Sequence, residues 1–281
     1  MNDARAVYAI ESFHDTQAID ETEISPPLAT PYVQYLIRSP HQRYETAVKI
    51  LRPEGLPADQ IKRVIYILPA APQITHRWGD GLDTFLQLGL HNQYGVAAVT
   101  PYFADWPWMA DHPTDPRIQQ VRYLLEDVLP LVDGLFPDAA RLLLGLSKSG
   151  TAAFQLLLRH PDLFEAIAVF DSPIMKMSPD QWEMPDFWVS DQHYRPYAIP
   201  LLLRERASEL RQRARIGLFG YGVFGKNPPD WTIDHLTAGH KLMNDLGIPH
   251  IYNNSTWYAH HWASGWMEMA VAALDEMTAT K

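Results

Sequence analysis

The 281-residue chain sets 23 lysines and arginines against 33 aspartates and glutamates, a formal net charge of −10, and contains no cysteine. That balance repels phosphate backbones and anionic lipid surfaces, so nucleic acid and membrane are set aside as partners; the absence of thiols excludes disulfides, thiolate metal sites and cysteine catalysis. With 47% of its residues hydrophobic, the chain can bury the core of one large domain, expected to span residues 1–281.

Residues 1–28 give no clear element, and the start MNDARAVYAIESFHDTQAIDE lacks the apolar stretch of a secretory leader. The expectation is a cytoplasmic protein, since no window approaches the roughly 18 uncharged apolar residues that cross a membrane. The runs YVQYLIR and YETAVKIL, parted by SPHQ, predict an antiparallel hairpin at a sheet edge within residues 31–51. KRVIYILP (62–69) and GVAAVTP (95–101) are short unbroken apolar runs, as in parallel strands buried on both faces, with helical spacing between them over 79–91. Apolar side chains at Ile118, Val121, Leu124, Leu125, Val128 and Leu131 predict an amphipathic helix over 116–136, kinked or ended near Pro130.

A strand over 141–146, a helix over 151–159 and a strand over 166–170 follow. Residues 172–200 are too long and too aromatic for a plain connection, and with a basic helix over 201–213 they predict a lid insertion spanning 172–214. Arg204, Arg206, Arg211, Arg213 and Arg215 are expected to form a solvated face. A strand over 215–220, a helix over 231–246, a strand centred on 250–253 and a closing helix over 262–277 complete the alternation of strand and helix.

The chemistry concentrates in RLLLGLSKSGTAAFQLLLRH (141–160), where an apolar strand enters a Gly-Leu-Ser turn that opens an apolar helix. A serine at the apex of such a turn sits in strained backbone, so its neighbours must be small. Gly145 stands two residues before Ser147; the usual second glycine is replaced by Ser149 and displaced to Gly150. Ser147 is the candidate nucleophile, and the N–H of Lys148 at the helix start is a candidate oxyanion donor. The structural alternative is a serine that merely caps the helix. The whole layout is that of an α/β-hydrolase: α/β class, a doubly wound, mostly parallel sheet with an antiparallel N-terminal edge and a lid insertion.

A serine needs a base, and the base needs a carboxylate to fix its tautomer. On this layout the chain order is serine, acid, histidine. WYAHHWASGW places His260 and His261 after the last strand; His260 is preferred as the base, with His261 as its alternative, and both have an alternative role as helix caps. The loop after the strand ending at Gly220 carries no carboxylate before Asp230, whereas AVFDSP puts Asp171 directly at a strand end. Asp171 is therefore preferred as the acid over Asp230, with Asp234 behind them, while a capping role for Asp171 remains open.

The second oxyanion donor is sought in PAAPQ, where Pro69 and Pro72 offer no N–H and Ala70, Ala71 and Gln73 do; Ala71 is the candidate. Trp106 and Trp108, with Trp182 and Trp188 of the lid, are candidate substrate-binding aromatics. His112, His235 and His240 have no metal-ligand spacing, so neither a metal nor any other cofactor is expected.

GLSKSG, the RHPDLFEAIAVFDSP that follows it, PWMADHP, GIPH and HHWASGW together resemble the branch of the α/β-hydrolase superfamily that includes esterase D, feruloyl esterases and mycolyltransferases, over residues 63–281. The resemblance implies a serine carboxylic-ester hydrolase acting on a small-molecule ester through an acyl-enzyme on Ser147, with His260 as base. It gives neither the acyl and alcohol specificity nor the oligomeric state. The competing reading is a catalytically silent protein of the same fold that binds a ligand or protein through its aromatic lid.

Overall fold

A computed structural model describes residues 22–24, 28–29, 32–72, 77–180, 184–221 and 231–279. The described residues form a ten-stranded sheet: β1 (Glu23–Ile24), β2 (Leu28–Ala29), β3 (Val33–Arg38), β4 (Thr46–Leu51), β5 (Arg63–Leu68), β6 (Ala97–Pro101), β7 (Ala140–Leu146), β8 (Ala166–Phe170), β9 (Ile216–Tyr221) and β10 (Ile251–Trp257). Their order is β1-β3-β4-β6-β5-β7-β8-β9-β10, with β2 on β3. From β1 to β6 the pairings are antiparallel; from β6 to β10 they are all parallel. The expected hairpin is β3–β4, and the switch of chain direction on either side of β5 puts the crevice at the carboxyl ends of β5 and β7.

The central strands are apolar throughout because both faces are covered. Val64, Tyr66, Leu68 and Leu143 pack on one side with helix Lys148–Arg159, the helical segment over 120–135 and helix Ile199–Glu205. Ile65, Ile67, Leu142, Leu144 and Leu146 pack on the other with helices Gly81–Gln87 and Met267–Thr278. The period-two alternation thus serves two cores at once. A third cluster joins Trp108, Ala110 and Ile118 to Met184, Phe187, Trp188, Tyr194 and Tyr197. No helix among the described residues is long and apolar enough to cross a membrane.

Several elements differ from their predicted form. The stretch over 79–91 is two short helices, Gly81–Gln87 and Leu90–Tyr94, parted by Gly89 at φ 65°. The helix predicted from 116 starts at Gln120, because Asp111 bridges to Gln119 and Gln42 to Ile118. Pro130 does not end it. A π-helical turn over Tyr123–Val128 lets Leu129 N–H donate to Leu124 O, five residues back, and the donor that proline lacks falls beside this register shift.

The basic helix is broken at Arg206 into Ile199–Glu205 and Ala207–Leu210. Arg215 is no solvated residue: it is 7% exposed, and its guanidinium donates to Pro161 O at 2.6 Å and Glu165 O at 3.0 Å. The closing helix begins at Met267 rather than 262, because Trp266 Nε1 ties back to His261 O at 3.1 Å and Gly265 takes φ 101°.

Candidate active site

β7 ends at Leu146 and the helix begins at Lys148, so the whole reversal falls on Ser147, at φ 59° and ψ −124°. Such a backbone costs a side-chain-bearing residue on the order of 1–3 kcal/mol and persists only where its surroundings impose it. Those surroundings are visible. A Cβ on Gly145 would stand 2.5 Å from Ser149 O, and one on Gly150 would stand 1.8 Å from Ser172 Oγ. Gly145, facing backbone, therefore requires glycine, and a side chain at 150 would force Ser172 to move. Ser149 is wholly buried; its Oγ donates to Leu146 O at 2.9 Å and accepts from Leu146 N–H at 3.0 Å. The residue that replaces the usual second glycine thus braces the turn.

Ser147 occupies the N-cap position, yet its side chain makes no capping hydrogen bond. Its N–H donates to Phe170 O at 3.0 Å, which sets it at the end of the neighbouring strand, one residue from Asp171. Asp171 also has positive φ, 50°, and is wholly buried. Its Oδ2 lies 2.5 Å from His260 Nδ1, on the loop after β10. His260 is 7% exposed, and its ring and that of Trp78 form a T-shaped pair, 4.9 Å between centroids and 87° apart.

His261 is engaged differently: its Nδ1 accepts from Ala263 N–H at 3.1 Å and its ring lies against Gly79. Neither histidine caps the closing helix, which starts six residues further on. Asp234 falls in the helix Trp231–Asp245. Asp230, Gln73 and Trp182 lie outside the described residues.

Ala70 and Ala71 follow β5 and border a cleft with Trp78, Gly79, Asp80 and Tyr102. Asp80 is committed there to structure: Oδ1 caps the helix Gly81–Gln87 by accepting from Leu82 and Asp83, and Oδ2 accepts from Tyr102 OH at 2.6 Å. Burial, reinforced by the Asp80 carboxylate, pushes the Tyr102 hydroxyl far above its ordinary range, so it stays a donor. Trp106 is half-buried, while Trp108 and Trp188 are wholly buried within the third cluster, where they pack against protein. Trp78 is a site neighbour that pattern reading missed; nothing in THRWGDG marks it beyond its following the candidate oxyanion loop.

The family profile described as "Putative esterase" matches residues 104–268. No curated protein matches the chain. Among solved structures, a ferulic acid esterase is similar at TM-score 0.63 and 16% identity, covering 92% of this chain and 98% of its own. An S-formylglutathione hydrolase from Agrobacterium tumefaciens gives 0.65 at 16% identity over 90% and 99%. A fluorophosphonate-binding serine hydrolase of Staphylococcus aureus gives 0.62 at 14% identity over 90% and 99%. At these identities the structural likenesses establish the α/β-hydrolase fold, and the profile match, covering more than half the chain, carries the family.

Proposed function

The chain belongs to the esterase family and is a serine ester hydrolase, and from that premise we propose that it cleaves small-molecule carboxylic esters through an acyl-enzyme on Ser147. Ser147 Oγ attacks the ester carbonyl as His260 Nε2 takes its proton; Asp171 holds His260 Nδ1–H and stabilises the imidazolium. The N–H groups of Lys148 and Ala71 receive the oxyanion, as preorganised donors at a helix start and a turn of small residues. His260 returns the proton to the departing alcohol, then activates the water that releases the acid.

The observation that carries this reading is the buried His260–Asp171 pair, at the strand ends beside a serine whose strained backbone leaves its hydroxyl out of the helix cap. A serine kept only to cap the helix would make the bond that Ser147 does not. Residues 172–214 act as a lid over the site, the chain is one domain, and its setting is the cytoplasm without nucleic-acid or membrane partners.

The test is labelling with a fluorophosphonate probe followed by peptide mass spectrometry. The expected result is one phosphonylated serine, Ser147, lost in Ser147→Ala; a folded wild type that stays unlabelled at Ser147 overturns the proposal in favour of the silent binding protein.

A further inference from the structure

In the segment between β8 and β9, the contacts of His193 constrain its charge. Its ring lies between two backbones: Nδ1 is 2.7 Å from Trp188 O, on its own segment, and Nε2 is 3.0 Å from Asp111 O, on the loop that follows β6. Both partners are carbonyl oxygens, which accept and never donate. A neutral imidazole has one N–H and one lone pair, so either neutral tautomer sets a lone pair against one of these oxygens at hydrogen-bond distance. Only the imidazolium donates to both, and such charge-assisted bonds are the stronger kind.

The contact also spans strained backbone. Val189, between Trp188 and the helix Asp191–Tyr194, is exposed and has φ 54°, a conformation that a β-branched residue adopts only where its surroundings impose it. His193 bridges that residue by reaching Trp188 O, and Ser190 N–H donates to the same oxygen at 2.6 Å. On the other side, the loop that holds Asp111 also carries Trp106, whose ring centre lies 4.1 Å from the ammonium of Lys148, the residue after Ser147. One imidazole thus joins a strained turn of the inserted segment to the loop that borders the nucleophile.

The groups around the ring leave the proton to His193. His112, on the same loop, is held below the ordinary histidine value chiefly by burial, with His193 acting in the same direction; its Nδ1 accepts from Asp115 N–H at 2.9 Å, as only a neutral ring can. The Asp111 carboxylate accepts from the N–H groups of Val121 and Arg122. Tyr197, 6.0 Å from His193 between centroids, keeps its phenolic proton because burial raises it, and the Arg159 guanidinium lies 3.7 Å from the centre of its ring. Asp186, Asp191 and Arg195, on the segment itself, are exposed, where solvent and salt screen them.

We propose that His193 is a proton-dependent clasp, which holds the segment 184–197 on the loop after β6 when charged and frees it when neutral. The clasp adds regulation to the site that the serine-hydrolase reading assigns, and its meaning for catalysis rests on that reading; its opening can be read without turnover, so either can fail without the other. Opening releases one proton, so the opening constant rises with pH, by at most about tenfold per unit. That sign is opposite to the one for His160 and His250, which burial lowers, so local opening and not global unfolding is the quantity to read.

Two measurements on the whole protein, between about pH 5 and 8.5 where an imidazole changes charge, decide it. Long-range proton–nitrogen spectra of the imidazoles, with His193 assigned by its loss in His193→Phe, report whether one or both ring nitrogens carry a proton. Hydrogen exchange of peptides within 184–197, corrected for the pH dependence of unprotected exchange, reports closure. Both nitrogens are expected to be protonated wherever the segment is protected, and the ring proton and the protection should be lost over the same pH interval, whereas protection in His193→Phe should not depend on pH. A singly protonated ring in a segment that stays protected overturns the proposal, as does wild-type protection that does not change with pH or that changes equally in His193→Phe.

Discussion

His260 Nδ1 lies 2.5 Å from Asp171 Oδ2, a nearly wholly buried contact between residues 89 positions apart in the chain. In the proposed mechanism this carboxylate fixes the imidazole tautomer, leaving Nε2 as the atom that accepts the Ser147 proton. Asp171→Asn keeps the shape and tolerates positive φ, but presents an amide that favours the wrong tautomer. The expected loss is on the order of 10⁴ in kcat, by analogy with the equivalent change in serine proteases. Steady-state kinetics on any hydrolysed ester checks this, and a loss under tenfold would remove Asp171 from the mechanism.

Ser147 is held at φ 59° without a capping bond, so no helix cap offsets its backbone strain. Ser147→Gly relieves the backbone strain and is expected to raise stability by about 1 kcal/mol while abolishing hydrolysis. Urea unfolding of the two proteins checks it; a destabilised glycine variant would show that Ser147 contributes contacts beyond those described.

The turn is braced by Ser149 and cleared by Gly150. Ser149→Ala deletes both hydrogen bonds of a wholly buried hydroxyl and leaves Leu146 N–H to find another acceptor, at an expected cost of about 1–3 kcal/mol. Gly150→Ala drives a Cβ to within 1.8 Å of Ser172 Oγ and is expected to cost more, with Ser172→Gly in the same chain recovering part of it. A double-mutant cycle by chemical denaturation measures that recovery.

His160 and His250 are both held below the ordinary histidine value by burial, His160 also by the Arg159 charge and His250 by His240. A base whose folded value is depressed binds fewer protons folded than unfolded, so stability is full above the unfolded value near 6.5 and falls as pH drops through the folded value. The lowered values of Asp115 and Glu126, set chiefly by hydrogen bonds from Arg117 N–H and from Arg122, act in the same direction at lower pH. The unfolding free energy should therefore decline between pH 7 and 5, by at most about 1.4 kcal/mol per pH unit for each histidine. Repeating the titration with His250→Asn should flatten the slope.

The strands were legible because each reports its environment residue by residue: VIYIL and LLLGL are apolar on both faces, and the structure covers both. The tight strand-to-helix turn at Ser147 was legible because few residues fit it. Asp171 was read at a strand end from the sequence, and the structure places it against His260. What sequence did not reveal depends on contacts between distant segments. The late start of the closing helix comes from Trp266 reaching back to His261; the survival of the helix through Pro130 comes from a π-turn that no local pattern marks. Trp108 and Trp188 were taken for ligand-facing rings because aromatic content says nothing about which neighbour covers a ring, and here they cover each other's cluster. Arg215 was misjudged for the same reason, its acceptors being carbonyls some 50 residues away.

Trp262 N–H donates to Trp78 O at 2.9 Å, the His261 ring lies against Gly79, and the Trp78 ring backs His260. The loop that carries His260 is thereby tied to the Trp78–Gly79 segment. In the proposed mechanism a shift of either is passed to the other, which keeps the base in register with the cleft through turnover.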